Sequence, residues 1–136
     1  MAYQLDFEKQ VSFADTGDGI ALEAEIRYSD VSVKIDARID TGAAYSIFER
    51  RFGEELGLEI ESGMRQRFGT ATGGFYAYGF RVTLLTADLE FDSMVFFAEE
   101  DNFTKNVLGR ITWLDNLALG LVAGAGKIYL SRFEEE

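Results

Sequence analysis

The chain has 136 residues, of which 47% are hydrophobic and 27% charged, so it can bury a core of ordinary size. Histidine and cysteine are absent, which excludes Ser-His and Cys-His nucleophilic catalysis, disulfides and the usual zinc sites. The formal net charge is −11 and no basic cluster is present, so nucleic acid is not an expected partner. Any catalysis must use carboxylates, hydroxyls, amines, backbone groups or a hard metal ion.

The N-terminal residues lack the basic start and apolar run of a secretory signal. The most apolar stretch, residues 117–126, is about half the length that spans a bilayer. We therefore expect a cytoplasmic protein without a membrane partner, in which residues 1–136 form one domain.

Alternation of apolar and polar residues predicts two consecutive strands. Even positions are apolar over residues 20–28 and odd positions over residues 31–39, with the turn-like pair Ser29-Asp30 between them. This pattern predicts an antiparallel hairpin. A shorter strand is predicted before it, at residues 11–14.

The rest of the chain also favours strands. Ser46 and Glu49 have the spacing of a capping box and predict a short helix that ends at Gly57. Gly73-Gly74 is predicted to be the tip of a long hairpin within the aromatic segment 67–80. Further strands are predicted at residues 81–87, 89–98, 106–108 and 127–131, with a short helix at 111–117. The fold class is therefore mainly β.

The sequence Asp40-Thr41-Gly42-Ala43 directly follows the second strand, and Ser46 stands three positions later. This segment resembles the active-site loop of the retropepsins, the retroviral-type aspartic proteases. In that family an apolar strand runs into Asp-Thr-Gly-Ala, followed by two variable residues and a Ser or Thr.

The resemblance covers residues 20–117. Gly73-Gly74 stands where the family has a glycine-rich flap, and Val107-Leu108-Gly109 where it has an apolar-apolar-Gly triplet that packs beside the active-site loop. The resemblance implies a small closed β-barrel with one or two short helices, and an aspartic endopeptidase that acts on peptides or proteins without a cofactor or metal.

The resemblance also implies a homodimer, because one chain supplies one such loop. Asp40 from each chain would form the catalytic dyad, Thr41 would brace the pair across the twofold axis, and Gly42 and Ala43 would support the loop. Residues Thr72, Gly73, Gly74 and Phe75 would belong to the flap that closes over the substrate.

The chemistry requires this pairing. Two adjacent carboxyl groups that share one proton supply a base for the attacking water and an acid for the substrate carbonyl. Such a dimer would have a formal net charge of −22, twice the −11 of one chain. That field favours basic peptides and predicts an activity maximum on the acidic side of neutral.

Three alternatives stay open. A second Asp-Thr-Gly, at Asp15-Thr16-Gly17, is interpreted as a turn because Asp18-Gly19 follows it. The chain could also be a non-catalytic β-barrel that serves dimerisation or peptide binding. A hard-metal hydrolase is the weakest alternative, because no compact acidic ligand loop is present.

Two departures from the family pattern concern charge. Arg110 matches a common arginine of the retroviral members, but Ala44 stands where its acidic partner would be, so Arg110 is expected to pair with another carboxylate such as Asp115 or to be solvated. The chain ends in three glutamates, residues 134–136, which would repel each other if the chain ends built the dimer interface.

Overall fold

The computed structural model describes residues 1–14 and 17–133, which form mainly β-strands. The strands are β1 (Lys9–Ser12), β2 (Ala21–Tyr28), β3 (Val31–Ile39), β4 (Ser46–Phe48), β5 (Met64–Thr70), β6 (Gly73–Thr86), β7 (Leu89–Ala98), β8 (Val107–Leu108), β9 (Leu117–Val122) and β10 (Lys127–Arg132). The single α-helix of the described residues is α1 (Arg50–Glu55), and three-residue 3₁₀ turns lie at Ile60–Ser62, Leu114–Asn116 and Ala123–Ala125.

Six strands close into a barrel in the order β2-β3-β8-β4-β7-β6, because β6 also pairs with β2. The 14 residues of β6 make this possible: its start pairs with β5, its end pairs with β2, and β7 pairs along most of it. The predicted closed β-barrel is therefore confirmed.

The predicted hairpin of β2 and β3 is present, with Ser29 and Asp30 as its turn. The two strands are antiparallel, and Ala24 lies opposite Ile35. The alternate residues that were predicted to face inward, such as Ile26 and Ala37, are fully buried. Period-two alternation is a reliable signal here because one face of each strand meets the core and the other meets solvent.

A second, three-stranded sheet has the order β1-β10-β9. It packs on the barrel through Ile128 and Leu130, which belong to the same buried cluster as Trp113. The indole N–H of Trp113 donates to the hydroxyl of Thr86 at 3.0 Å, and both side chains are buried. Strand β9 was not predicted, since its Ala and Gly residues weaken the alternation.

The predicted capping box is wrong. Ser46 lies in β4, and α1 begins at Arg50 after Glu49, which makes no side-chain cap hydrogen bond. Tertiary pairing of β4 with β7 and β8 outweighs the local capping signal. The helix ends at Glu55, and Gly57 follows it in the left-handed conformation of a C-terminal cap, as predicted; the Gly57 amide donates to the carbonyl of Glu54.

Two other predictions need correction. The predicted helix at residues 111–117 is only the 3₁₀ turn Leu114–Asn116, preceded by Thr112 with a left-handed backbone (φ 66°). The tip of the aromatic hairpin is Ala71-Thr72, because Thr70 pairs with Gly73 and Gly74 with Gly69. The tip therefore lies two residues earlier in the chain than predicted, and Gly73 and Gly74 begin β6.

Some predictions fall outside the described residues. The interpretation of Asp15-Thr16-Gly17 as a turn concerns Asp15 and Thr16, which are not described, and the same holds for the acidic residues 134–136. Within the described chain, no helix has the length and apolar character needed to cross a membrane.

Candidate active site

Asp40 lies at the end of β3, where the chain leaves the barrel and turns. Its amide donates to the carbonyl of Leu108 at 3.0 Å, and its own carbonyl accepts the amide of Ala43 at 3.1 Å. The Oδ1 atom of Asp40 accepts the amide of Gly42 at 2.9 Å. The half-buried carboxylate is therefore held in place by the backbone of the loop that follows it.

Glycine is favoured at position 42 by the space around it. Its backbone is not left-handed; a Cβ atom there would lie 3.2 Å from the Asp40 carboxylate oxygen that its amide binds. Thr41 is exposed at the apex of the loop, and Ala43 is half-buried.

The predicted triplet packs directly beneath this loop. Val107 and Leu108 are buried, and β8 runs parallel to β3. A Cβ atom on Gly109 would lie 2.4 Å from the carbonyl oxygen of Tyr45, so only glycine fits between β8 and the loop. The amide of Gly109 donates to the buried Oγ of Ser46 at 3.0 Å. Ser46 thus connects the active-site loop to the triplet.

Arg110 does not pair with Asp115; it is exposed, as the solvated alternative expected, and it also contacts the loop after Asp40. Its amide donates to the carbonyl of Ala43 at 3.0 Å, and its Nε donates to the same oxygen at 3.4 Å. No ion pair of Arg110 is present within the described residues. Ala44 stands where the retroviral members have an acidic partner for this arginine. The Arg110 guanidinium instead contacts the active-site loop through the backbone carbonyl of Ala43.

The hairpin of β5 and β6 projects beside the loop. Gly73 has φ +139°, a backbone that other residues rarely adopt, and its carbonyl accepts the hydroxyl of Thr70 at 3.1 Å. Thr72, Gly73 and Gly74 are exposed at the tip, while Phe75 is half-buried. The predicted flap residues therefore lie on the hairpin of β5 and β6, beside the Asp40 loop.

An aromatic cluster joins this hairpin to the active-site loop. The ring of Phe68 stacks on Phe75 at 5.4 Å and meets Phe96 edge-on at 5.1 Å. Tyr45, in the active-site loop, contacts Phe68 and Phe96 at 6.2 and 4.9 Å between ring centroids. Phe103 contacts Phe75 at 4.7 Å from a third segment. The position of the hairpin is thus coupled to the loop by ring packing.

The base of the hairpin is fixed by polar contacts. The Tyr78 hydroxyl donates to Glu99 at 2.9 Å, Arg65 pairs with Glu99 at 3.4 Å, and the Arg65 guanidinium lies 3.6 Å from the Tyr76 ring centre. Burial, followed by the hydrogen bond to the Glu99 carboxylate, raises the pKa of Tyr78 above its usual value. The base is therefore anchored while the tip is exposed.

A cleft of about 450 Å³ lies between the loop and the hairpin. Asp40 and Ala43 form one wall, residues 68–70 and Phe75 a second, and the loop 102–105 a third. Of the predicted site residues, Asp40, Ala43, Phe75 and Val107 line this cleft. The cleft has the size of an ordinary ligand site and a largely aromatic wall.

Two charged residues of this cleft were not predicted, namely Arg38 and Lys105. A sequence signal for Arg38 existed, because it stands two positions before Asp40 and so shares its face of β3. Lys105 comes from a loop whose position only the tertiary structure decides. No group of three or more acidic residues placed to hold a metal ion occurs in residues 1–14 and 17–133.

Comparison with known proteins rests on structure alone, because no protein-family model and no curated protein matches the sequence. A retropepsin-like aspartic protease from Rickettsia conorii superposes with a TM-score of 0.62 and 17% identity, over 90% of this chain and 98% of that one. EIAV protease, solved with the inhibitor HBY-793, superposes with a TM-score of 0.54 and 17% sequence identity, over 71% of this chain and 86% of that one. Together with the closed barrel and the Asp40 loop, these similarities show that the chain has the fold of the retropepsin-like aspartic proteases.

Proposed function

We propose that this chain is an aspartic endopeptidase that acts as a homodimer, with the Asp40 carboxyl groups of two copies as its catalytic dyad. One observation carries the proposal: the Asp40 carboxylate is held by the Gly42 amide and opens into an apolar cleft large enough for peptide side chains. The retropepsin fold supports it, since the neighbours of that fold are named as proteases.

The dimer is required by chemistry. Hydrolysis without a covalent intermediate needs a base that takes a proton from water and an acid that protonates the substrate carbonyl oxygen. The described residues contain one loop of this type, and Thr41 is exposed at its apex, within reach of a second copy. A twofold axis beside Thr41 would bring the two carboxyl groups together.

Within the dyad, one carboxylate accepts a proton from the water while the water oxygen attacks the carbonyl carbon of the substrate. The other carboxyl group donates its proton to the carbonyl oxygen, which yields a tetrahedral diol. Collapse of the diol breaks the C–N bond as the leaving amine takes the proton of one carboxyl group and a diol hydroxyl gives its proton to the other carboxylate. The dyad therefore again holds one proton. Repulsion between two adjacent carboxylates disfavours the loss of the second proton, so the pair holds a single proton over a range of pH values.

The β5–β6 hairpin is proposed to be the flap. Its tip is exposed and its base is anchored, so the tip would move over a bound peptide. Phe68 and Phe75 line the cleft and would then contact the substrate. Closure would exclude water from the cleft during the reaction.

The test is cleavage of a random peptide library between about pH 4 and 7 by the wild type, Asp40→Asn and Asp36→Asn. General acid–base groups contribute ~100-fold or more. We therefore expect Asp40→Asn to lose at least ~100-fold in kcat/KM. Asp36→Asn removes the same charge from the same face of β3 outside the cleft, and should keep activity near that of wild type.

Two results would contradict the proposal. The first is a wild type that cleaves nothing at concentrations where sedimentation shows a dimer, which would favour a non-catalytic dimerisation or peptide-binding barrel. The second is loss of activity in Asp15→Asn with retention in Asp40→Asn, which would assign the chemistry to the other Asp-Thr-Gly.

A further inference from the structure

We infer that the cleft selects peptides that carry an acidic side chain next to the scissile bond, with Arg38 and Lys105 as specificity-determining residues. This inference rests on the proposed protease function, because it places the scissile bond at Asp40. Both cations line the same cleft as the Asp40 carboxylate.

The position of Arg38 follows from its strand. In β3 the odd residues Ile35 and Ala37 are buried and the even residue Arg38 lies on the outward face. Asp40 directly follows the strand at the next even position and lines the same cleft as Arg38. Residues two apart on one strand face are about 7 Å apart. A substrate residue adjacent to the bond at Asp40 therefore comes within reach of the guanidinium.

The Arg38 side chain is held in place on one side only. Its Nη1 donates to the carbonyl of Asp18 at 2.9 Å, and its stem packs against Gly19, where a Cβ atom would lie 2.4 Å from Cδ. This single bond leaves most of the five N–H donors of a guanidinium for another acceptor.

Lys105 is brought to the same wall by its neighbour Asn106. The Asn106 carbonyl accepts the Arg38 amide at 2.9 Å, and its side-chain amide donates to Glu49 at 2.7 Å while its Oδ1 accepts the Glu49 amide at 3.0 Å. These three bonds fix the residue that follows Lys105. The exposed lysine is therefore presented beside Arg38 from a fixed point of the backbone.

The local charge around this wall favours an anion. Within the described residues, neither Arg38 nor Lys105 forms an ion pair. Asp18 and Asp36 line a neighbouring hollow of about 230 Å³, which Arg38 and Lys105 also border, and neither aspartate lines the cleft at Asp40. The cleft itself contains two cations and the one Asp40 carboxyl group.

This inference opposes the expectation from net charge, which favoured basic substrates. The charged residues that give the net charge of −11 are distributed along the whole chain. Salt screens those that lie more than about 8–10 Å from the substrate. Arg38 and Lys105 would meet the substrate at contact distance, where salt screens the interaction less than it screens distant charges. The local pair should therefore decide the preference next to the bond, and net charge should affect mainly the rate of encounter.

The test uses two peptides that differ only by Glu or Gln at the residue beside a cleaved bond, assayed at about pH 6, where the Glu side chain is ionised. We expect the wild type to prefer the Glu peptide about fivefold in kcat/KM, the size of one favourable, partly exposed charge pair. The double variant Arg38→Gln/Lys105→Gln should reduce that ratio to near one, and Lys105→Gln alone should lower it partly.

The matched control is Lys34→Gln. Lys34 is exposed on the same face of β3, and it lies outside the cleft. Its substitution removes one positive charge, as Lys105→Gln alone does, and should leave the Glu-to-Gln ratio unchanged. Added salt should lower the wild-type ratio and have little effect on the ratio of the double variant.

A second measurement separates this inference from the proposed function. Fluorescence anisotropy of the same labelled peptides on Asp40→Asn protein reports binding without turnover, and the Glu peptide should again bind more tightly. Cleavage with a ratio of one or below, or an equal loss in Lys34→Gln, overturns the acidic preference and leaves the protease intact. Preferential binding of the Glu peptide by a wild type that cleaves nothing supports the preference and overturns the protease.

Discussion

The sequence around Ser46 is compatible with two roles, a helix cap or a buried hydrogen-bond acceptor, and the fold uses only the second. The spacing of Ser46 from Glu49 is that of a helix cap, yet the Ser46 hydroxyl accepts the Gly109 amide in a buried position, with 1% of the residue exposed. Without that acceptor the Gly109 N–H would be buried and unpaired beside the backbone of Tyr45. The serine of the Asp-Thr-Gly-Ala segment is therefore a structural residue that joins the loop to β8.

Substitution of Ser46 by Ala should destabilise the protein by about 1–3 kcal/mol, the cost of a buried donor left without a partner. Denaturant unfolding at neutral pH measures the loss. Ser62→Ala is the control, because the Ser62 hydroxyl donates to the Glu59 carbonyl at the exposed surface and its loss should cost much less. Equal stability of Ser46→Ala and wild type would show that the buried hydrogen bond contributes nothing.

At the scale of elements, Arg50 attaches the short helix α1 to the barrel. Its guanidinium donates to Glu61 at 2.8 Å, in the 3₁₀ turn Ile60–Ser62, and to the carbonyl of Glu99 at 3.0 Å, after β7. The hydrogen bond from Arg50 lowers the pKa of Glu61 below its usual 4.5. A six-residue helix has little stability of its own, so such contacts fix its position.

The lowered pKa of Glu61 predicts a pH-dependent contribution to stability. Folding favours the ionised form, so the contribution is complete above the unfolded pKa near 4.5 and is lost as pH falls through the lower folded value. The stability difference between wild type and Glu61→Gln should therefore be present at pH 7 and should disappear at low pH. Denaturant melts over that range provide the measurement.

Glu59→Gln is the matched control for this experiment. Glu59 is an exposed glutamate two residues earlier, and it forms no ion pair in residues 1–14 and 17–133. Its substitution should change stability little at either pH. A Glu61→Gln difference that stays constant as pH falls, or a Glu59→Gln difference of the same size, would count against the ion pair.

At the scale of the whole molecule, the proposed active site is half of a catalytic device. Each chain supplies one Asp40, so activity should depend on assembly. The second sheet presents β1 and β9 as its edge strands, and Leu121 and Val122 of β9 are about half exposed. Edge strands with exposed apolar residues are suited to contact with a second chain.

Mixing wild type with inactive Asp40→Asn protein tests this dependence. If subunits exchange at random, equal amounts leave about a quarter of the dimers fully wild type, so activity should fall to about half that of the same wild-type amount alone. The fall should deepen as the variant is added in excess. An activity that does not change on addition of Asp40→Asn, under conditions where subunits exchange, would place a complete site within one chain.

Several features were predictable from sequence because they depend on local chemistry. The β2–β3 hairpin follows from alternation, and the approach of β8 to the Asp40 loop follows from a triplet whose glycine admits a backbone carbonyl at close range. The termination of α1 just before Gly57 follows from the glycine, which adopts a left-handed backbone with φ +83°. Each signal is contained in a few consecutive residues.

The remaining features depend on contacts between distant segments. Ser46 lies in a strand because β4 pairs with β7 and β8. The Arg110 side chain donates to the carbonyl of Ala43. Phe68 and Phe103 came together on either side of Phe75. No local pattern encodes such encounters, since their free energy comes from burial and pairing in the complete barrel.

The sequence by itself determined the type of chemistry that this chain can offer: without histidine or cysteine, and with Asp40-Thr41-Gly42-Ala43 after a strand, it indicated a carboxylate site in a β-barrel. Only the tertiary structure decided what surrounds that carboxylate. Arg38 shares its strand face and Lys105 arrives from a loop about 65 residues away, a spacing over which residue order carries no geometric information. The physical reason is that bonding chemistry is local to a residue, whereas the electrostatic environment of a site is set by whichever segments the fold packs against it.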